Sequence, residues 1–212
     1  MRINLPVLLV AGLMSVTRVT GQQTAPAAYS SDTTVNYIRT WDAVKPDTSA
    51  GDFIITSALA HSRVTTQYVD GLGRPIQTII KQGSLVTGST ANDLVMPIVY
   101  DNLGREMYKY LPFAANSTGS NSHITDGLFK LNPFQEDSAF NKSMFSDESW
   151  YYCQTNFEAS PLSRTLETFA PGNNWLGTSG QSSESNRHYI NLKSWRNTST
   201  ASVIIYNVTD VT

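Results

Sequence analysis

The fold is decided by the stretch Tyr68-Val69-Asp70-Gly71-Leu72-Gly73-Arg74, which the chain repeats as Tyr100-Asp101-Asn102-Leu103-Gly104-Arg105. Both copies contain the pattern Asp-x-Leu-Gly-Arg, and their aspartates lie 31 positions apart. Recurrence of a short motif at such a period is typical of repeat architectures. The sequence therefore predicts that one local structure is built at least twice.

The first copy has the composition of a β-hairpin. Residues 64–69 are mostly β-branched or aromatic, and residues 75–81 form a second run of strand-like character. Between them, Gly71 and Gly73 supply positive φ angles at no steric cost. The Asp70 side chain is placed to accept hydrogen bonds from N–H groups two residues on. Pro75 donates no ladder bond, so we expect it to begin the second strand or to lie at an edge.

The second copy repeats this arrangement, since residues 96–100 enter, residues 101–104 turn and residues 105–110 leave. An arginine closes both motifs, and we expect each arginine to fold back on its aspartate in a charge-assisted bond. A degenerate third copy covers residues 157–164, with proline in place of glycine and a loop two residues longer. The residues expected to hold the two full turns are Tyr68, Asp70, Gly71, Gly73, Arg74, Tyr100, Asp101, Gly104 and Arg105.

The pattern Tyr-Asp-x-x-Gly-Arg, complete at residues 100–105, resembles the YD repeat of RHS-type (rearrangement hotspot) proteins. More of the chain resembles the N-terminal domain, of unassigned function, that opens large secreted RHS proteins of Gram-negative bacteria. The segments that carry this resemblance are residues 36–41, 70–75, 111–113, 160–162 and 170–172. The resemblance implies a β-shell of repeats that winds around a C-terminal passenger of the same polypeptide, often a toxin.

Composition and the N-terminus indicate an exported protein. The chain has 212 residues, enough for a real core, and its net charge of −2 gives no basic excess for nucleic acid or anionic membranes. Arg2, the apolar residues 5–14 and the small residues before Gln22 are typical of a signal peptide over residues 1–21, and residues 25–27 offer a second cleavage site. The apolar run is shorter than the ~20 residues that a membrane-spanning helix needs. We expect secretion or display at the cell surface, a flexible lead-in over residues 22–35 and a β-rich domain over residues 36–212.

One helix is predicted, over residues 132–145, in an otherwise β-rich chain of antiparallel hairpins. Asn132 is a candidate cap and Pro133 fits the first helical position. An apolar face is expected from Phe134, Ala139, Phe140 and Met144, with a solvated acidic face opposite it. An alternative is a calcium site, but the spacing of its candidate ligands fits no EF-hand loop. Those candidates are Glu136, Asp137, Asp147 and Glu148.

The motifs of catalysis are missing from the sequence. The three histidines have no His or Cys at zinc-binding spacing, and there is no nucleophile elbow, phosphate loop or dinucleotide fingerprint. Cys153 is the single cysteine, so it forms no internal disulfide, and its aromatic surroundings favour a buried, inert thiol. Asp70 and Asp101 are better explained as turn caps than as paired catalytic carboxylates. We therefore expect no enzymatic activity, no cofactor and no metal.

Two functions remain open from the sequence. The first is structural, in which the chain initiates or closes an RHS-type shell and its partners are the downstream repeats and passenger. The alternative is a cell-surface module that binds carbohydrate or protein through exposed aromatic residues, with the ten tyrosines and the tryptophans Trp41, Trp150, Trp175 and Trp195 as candidates. A final hairpin is expected from residues 187–195 and 202–208, and Tyr206-Asn207 resembles the entry to a further repeat. We accordingly expect further repeats to follow.

Overall fold

A computed structural model describes residues 25–46, 53–56, 58–84 and 91–194. In this part of the chain, nine β-strands form two antiparallel sheets, accompanied by one α-helix. The predicted fold class, mainly β with antiparallel hairpins and one short helix, is confirmed. The elements are β1 (Asn36–Ala43), β2 (Ser62–Val69), β3 (Pro75–Ile80), β4 (Leu94–Pro97), β5 (Tyr108–Tyr110), β6 (Phe113–Ala114), α1 (Pro133–Met144), β7 (Tyr152–Phe157), β8 (Thr165–Phe169) and β9 (Ile190–Asn191).

The first sheet has the spatial order β1-β2-β3-β4-β6. Its central hairpin, β2 and β3, is the one predicted from the first motif, and Pro75 begins β3 as expected. Along β2, Val64, Thr66 and Tyr68 are buried while their neighbours are more exposed. This alternation is that of a strand with one face on the core and the other toward solvent.

The second sheet has the spatial order β5-β7-β8-β9, and it corrects the prediction for the second motif. The entering strand β4 pairs with β3 in the first sheet, whereas the leaving strand β5 pairs with β7 in the second. An isolated bridge between Ile98 and Lys109 joins the two. The Ile98 N–H still donates to the Ile76 carbonyl at 2.9 Å, so the entering segment stays paired with β3 up to the bridge. The second motif therefore connects two sheets instead of closing a hairpin within one.

Each sheet has its own apolar core, and α1 contacts both of them. The first core contains Tyr68, Ile79, Val95, Phe113 and Ala115. The second core contains Tyr110, Phe134, Tyr152, Phe169 and Leu176. Phe134 of α1 belongs to the second core, while Phe140, two turns further on, packs against the first. The helix thus ties together the two sheets that the second motif connects.

The helix begins and ends where the sequence predicts, but its exposed and buried faces differ from the prediction. Pro133 is its first residue, and Asn132 precedes it without a side-chain capping bond. Glu136 and Asp137 were expected on a solvated face and are instead 0% and 2% exposed, while Met144 is exposed. Asn116 contacts Glu136, its N–H donating to Oε2 at 3.4 Å and its side-chain amide donating to the Glu136 carbonyl oxygen at 3.0 Å. The charge of Asp137 acts on Tyr110 and Tyr151. The periodicity of the helix sequence did not predict the burial of these two residues.

Several expectations fall outside the described residues or at their border. The predicted signal peptide, the second strand of the final hairpin and Trp195 all lie beyond them. Within the expected lead-in, the Tyr29 N–H donates to the Leu131 carbonyl at 2.7 Å, and the Tyr29 ring lies 5.0 Å from that of Phe129. Over the described ranges, the structure has no helix with the length and apolar character required to cross a bilayer.

Candidate functional site

The two full motifs fold into turns of the same geometry, here named the first turn (residues 70–74) and the second turn (residues 101–105). In the first turn, Asp70 Oδ1 accepts the N–H groups of Leu72 and Arg74, both at 2.9 Å. Its Oδ2 accepts Arg74 Nε at 2.8 Å and forms an ion pair with Arg74 Nη2 at 2.7 Å. The second turn repeats every one of these bonds at 2.8–2.9 Å, with Asp101 and Arg105 as the pair. The charge-assisted bond expected between arginine and aspartate is thus present in both turns.

Backbone geometry explains one glycine of the motif but not the other. Gly73 and Gly104 have φ angles of 78° and 77°, in the left-handed region that glycine occupies without strain. Each donates its N–H to the carbonyl of the turn's aspartate, at 3.0 and 2.9 Å. Gly71 was expected to share this conformation, yet it lies outside the positive-φ region. Asn102 occupies the equivalent position of the second turn, in agreement with this correction.

The degenerate copy at residues 158–164, here the third turn, builds the same structure from different residues. Glu158 takes the place of the aspartate and accepts Arg164 Nε at 3.0 Å. Ser160 Oγ accepts the Leu162 N–H at 3.2 Å, the bond that an aspartate Oδ1 accepts in the other turns. Ser163, with φ 48°, occupies the left-handed position held elsewhere by glycine. The longer loop therefore divides between Glu158 and Ser160 the bonds that a single aspartate accepts.

The hydrogen bonds of the turns favour the ionised carboxylates. The backbone N–H of Arg74 lowers the pKa of Asp70, and the N–H of Arg105 does the same for Asp101. The Arg164 side chain is the main cause that lowers the pKa of Glu158, to about 2. All three acids are therefore charged at neutral pH and clamp an arginine of fixed position.

The arginines of the first two turns also reach the next turn along the chain. The Arg74 guanidinium carbon lies 4.6 Å from the centroid of Tyr100, the residue before the second turn. The Arg105 guanidinium carbon lies 4.9 Å from the centroid of Phe157, the residue before the third turn. Both distances are within the ~6 Å range of cation–π attraction. We name these contacts the first junction and the second junction.

Strand register produces both junctions. The β3–β4 register pairs Gln77 with Pro97, and its continuation puts Arg74 directly opposite Tyr100. The β5–β7 register pairs Tyr108 with Gln154, and its continuation puts Arg105 opposite Phe157. The three turns consequently lie side by side at the ends of their strands. An arginine of each of the first two turns contacts the ring that precedes the next turn.

The first and third turns, at the two ends of the row, differ in the residues that they present for a further junction. At the first turn, the position before the acid holds Val69, which offers no ring to an arginine. At the third turn, the Arg164 side chain is 55% exposed, against 36% for Arg74 and 20% for Arg105. Among the described residues, no ring lies over the Arg164 guanidinium.

The two motif tyrosines do not have equivalent positions. Tyr68 belongs to the first core, with its ring 5.0 Å from Phe129 and its hydroxyl 3.4 Å from the Gly127 carbonyl oxygen. Tyr100 lies instead at the first junction. The inserted Val69 moves the first tyrosine to the opposite face of the strand, because side chains alternate at each position.

A buried polar network, formed by Gln77, Asp93 and Lys130, was missed by the sequence analysis. Lys130 Nζ lies 2.7 Å from Asp93 Oδ2, and both side chains are fully buried. The remaining bonds come from the backbone and from Gln77, which accepts the Lys130 N–H at 2.8 Å. The three residues are far apart in sequence and follow no local pattern, so no sequence motif predicts the network.

Burial dominates the electrostatics of the two helix carboxyls. It raises the pKa of Glu136 to about 7 and that of Asp137 to about 8. Asp137 Oδ1 accepts the Asn141 amide at 2.8 Å, whereas Glu136 Oε1 is buried without a hydrogen-bond partner. In the described ranges, no group of three or more His, Cys, Asp or Glu is arranged to hold a metal ion.

The other candidate side chains are dispersed. Cys153 lies half-buried in β7, and burial raises the pKa of its thiol, which disfavours the nucleophilic thiolate. Trp150 contacts Tyr152 at the second core, and Trp175, 42% exposed, lies edge-on to His188. His123 is bound to Asp126 and His61 lies 3.4 Å from Lys45, so the histidines have separate partners.

These features define a class: a two-sheet β-domain whose successive turns are joined by arginine–aromatic junctions. The chain belongs to the family described as a domain of unknown function, DUF6443, whose model matches residues 39–189. The match includes all three turns and both junctions. No curated protein and no solved structure matches the chain.

Proposed function

We propose that this chain is a non-enzymatic structural segment of a secreted or cell-surface RHS-type protein. Its role is to initiate a β-shell around a C-terminal passenger, with further repeats of the same polypeptide as its partners. The resemblance of residues 100–105 to a YD repeat supports this proposal, because those residues form a turn that occurs three times. The family match alone assigns no activity.

The observation that carries the proposal is the direction of the row of turns. Each junction joins the arginine of one turn to the ring of the next, so the contact has a donor side and an acceptor side. Val69 leaves the first turn without an acceptor ring, and Arg164 leaves the third turn with an exposed donor. Units of this kind extend the row after the third turn and not before the first.

The mass of the native protein tests the proposal. An antibody against residues 60–115, used on secreted and surface fractions, should detect a band far above the 23.3 kDa of this chain. N-terminal sequencing of that band should begin near Gln22 if residues 1–21 are a signal peptide. A band near 23.3 kDa would leave the segment without a shell and would contradict the proposal.

A second candidate function is a cell-surface binding module. A small groove of about 170 Å³ is lined mostly by apolar residues, among them Leu111, Phe145, Trp150 and Pro171. Flat aromatic surfaces of this kind are suited to sugar rings or to apolar side chains of a protein. A glycan array together with a tryptophan-fluorescence titration separates the two functions. A saturable response that Trp150→Phe weakens would favour the binding module.

A further inference from the structure

The buried polar network holds an amine and a carboxyl group in direct contact. Lys130 Nζ lies 2.7 Å from Asp93 Oδ2, and both side chains are 0% exposed. The lysine amine is a nucleophile, and the Asp93 carboxyl carbon is an electrophile that it can attack. Groups that are well oriented within one molecule react as if each were present at about 10⁵–10⁸ M. The contact therefore has the chemical requirements for an amide bond between the two side chains.

Hydrogen bonds fix the backbone of both residues. Gln77 accepts the Lys130 N–H at 2.8 Å and donates to the Lys130 carbonyl oxygen at 3.1 Å. The Asp93 N–H donates to the Ile124 carbonyl at 2.8 Å, and the Asp93 carbonyl accepts the Ala115 N–H at 2.8 Å. Because both backbones are anchored, the two side chains stay in contact for as long as the protein is folded.

The surroundings of the contact supply the other groups that amide formation requires. Asp93 Oδ1 accepts the Gln82 N–H at 2.9 Å, and Oδ2 accepts the Gly127 N–H at 2.8 Å. Fixed donors of this kind stabilise the oxyanion of a tetrahedral intermediate. Asp126 Oδ1 lies 3.5 Å from Lys130 Nζ, on the side of the lysine that is open to solvent, since the Asp126 side chain is 36% exposed. Its carboxylate is placed to accept a proton from the amine.

We propose that Lys130 and Asp93 condense into an intramolecular isopeptide bond. Lys130 Nζ transfers one proton to Asp93 Oδ2 and attacks Cγ, so that an N–C bond forms and the carbonyl electron pair moves onto Oδ1. Asp126 accepts a second proton from the nitrogen and returns it to Oδ2. The Cγ–Oδ2 bond then breaks, one water leaves and the carbonyl at Oδ1 forms again. Both hydrogens of the water come from the amine, and no oxidant, reductant or co-reactant takes part.

The bond gives this chain a covalent cross-link that its cysteine content does not allow. Cys153 is the single cysteine, so no internal disulfide can form. Asp93 directly precedes β4, and Lys130 lies 37 positions further on, shortly before α1. A cross-link that closes a loop of this length restricts the unfolded chain and thereby stabilises the folded one. This inference does not depend on the proposed function, because it concerns the interior and not the turns.

Mass spectrometry of the folded full chain, incubated at neutral pH, tests the bond. The intact mass should be lower than the calculated mass by one water, and a tryptic digest should contain a branched peptide that joins Lys130 to Asp93. Lys130→Arg is the matched control, because its guanidinium retains the positive charge but stays protonated and does not attack. This variant should have its full calculated mass. Asp126→Asn should slow the loss of water without preventing folding.

Each other outcome contradicts the proposal or part of it. An unchanged intact mass, with Lys130 recovered only in linear peptides, would show that the contact is an ion pair alone. A loss of water that persists in Lys130→Arg would place the reaction elsewhere, for example at a succinimide of Asp70-Gly71. Should Lys130→Arg fail to fold, the tryptic peptides of the unsubstituted chain decide the question. An unchanged rate in Asp126→Asn would remove Asp126 from the proton transfer.

Discussion

The acidic residues of the turns and those on the buried face of α1 have opposite electrostatic environments. At the turns, Asp70, Asp101 and Glu158 are ionised, their pKa values lowered by backbone N–H groups and by arginines at the surface. Within α1, Glu136 and Asp137 are buried, and desolvation raises their pKa values. The turn carboxylates fix the arginines that contact the next turn. The carboxyls of α1 are buried, and their burial has an unfavourable desolvation free energy. The comparison shows that the structure of the turns is specified by neighbouring residues in the sequence, whereas the burial of the α1 carboxyls depends on long-range packing.

The largest effect of a single substitution is expected from breaking the buried polar network. Lys130→Ala removes one partner of a fully buried pair and leaves the Asp93 charge uncompensated. We expect a loss of about 3–5 kcal/mol in the free energy of unfolding, measured by urea titration. Lys142→Ala, an exposed lysine of α1, is the matched control and should change stability by less than about 0.5 kcal/mol. Equal effects of the two substitutions would show that the network contributes little.

The second expected effect is a stability that falls as pH rises. The unfolded pKa of Glu136 and Asp137 is about 4, and the folded values are about 7 and about 8. Between these limits the folded protein holds more protons than the unfolded chain, so the free energy of unfolding declines from about pH 4 to about pH 8 and then levels. Chemical denaturation across this range measures the slope.

The double variant Glu136→Gln with Asp137→Asn should flatten that profile. The turn acids act in the opposite sense and in another range, since their contribution is present above pH ~4 and is lost as pH falls toward the folded pKa of Glu158, about 2. A profile that keeps its slope between pH 4 and pH 8 in the double variant would assign the effect to other groups.

The two turn glycines provide a matched pair for the junction. Gly73→Ala and Gly104→Ala impose the same left-handed strain, about 1–2 kcal/mol. A methyl group at Gly73 meets open space, whereas at Gly104 it comes within 2.8 Å of Arg74 Nη1 and displaces the arginine from Tyr100. Thermal melts should therefore show a larger loss for Gly104→Ala. Identical losses of thermal stability would indicate that backbone strain accounts for both and that the first junction contributes nothing.

The smallest effect is expected at the third turn. Ser163 occupies the left-handed region with φ 48°, where glycine is unstrained. Ser163→Gly should relieve strain and raise the free energy of unfolding by about 0.5 kcal/mol after the entropy cost of glycine. The same substitution at Ser160, which accepts the Leu162 N–H, should instead lower stability. A loss at Ser163 as well would mean that its hydroxyl, 3.5 Å from Arg105 Nη1, outweighs the strain.

The sequence predicted the turns because their partners lie within five residues of each other. Asp70 and Arg74 meet through local backbone geometry alone, and Pro133 likewise marks the start of α1 without tertiary information. The third turn was harder, because its acid lies two residues further back and only the greater reach of Glu158 restores the clamp.

The remaining features required the register of distant strands. Arg74 meets Tyr100 only when β3 and β4 pair in one particular alignment. The burial of Glu136 and Asp137 depends on residues distant in sequence, such as Asn116 and Tyr110, and no periodicity in α1 encodes it. Side-chain spacing along the chain therefore identified the turns but not the contacts between them.

The most direct test of the junctions is a double-mutant cycle across the second one. There Arg105, which precedes β5, contacts Phe157 at the end of β7. Arg105→Ala and Phe157→Leu should each destabilise the protein, and the pair should show a coupling free energy of about 1 kcal/mol in urea unfolding. This result would establish that an arginine of one turn binds the ring of the next. Additive effects, with coupling near zero, would contradict the account and reduce the turns to three independent local structures.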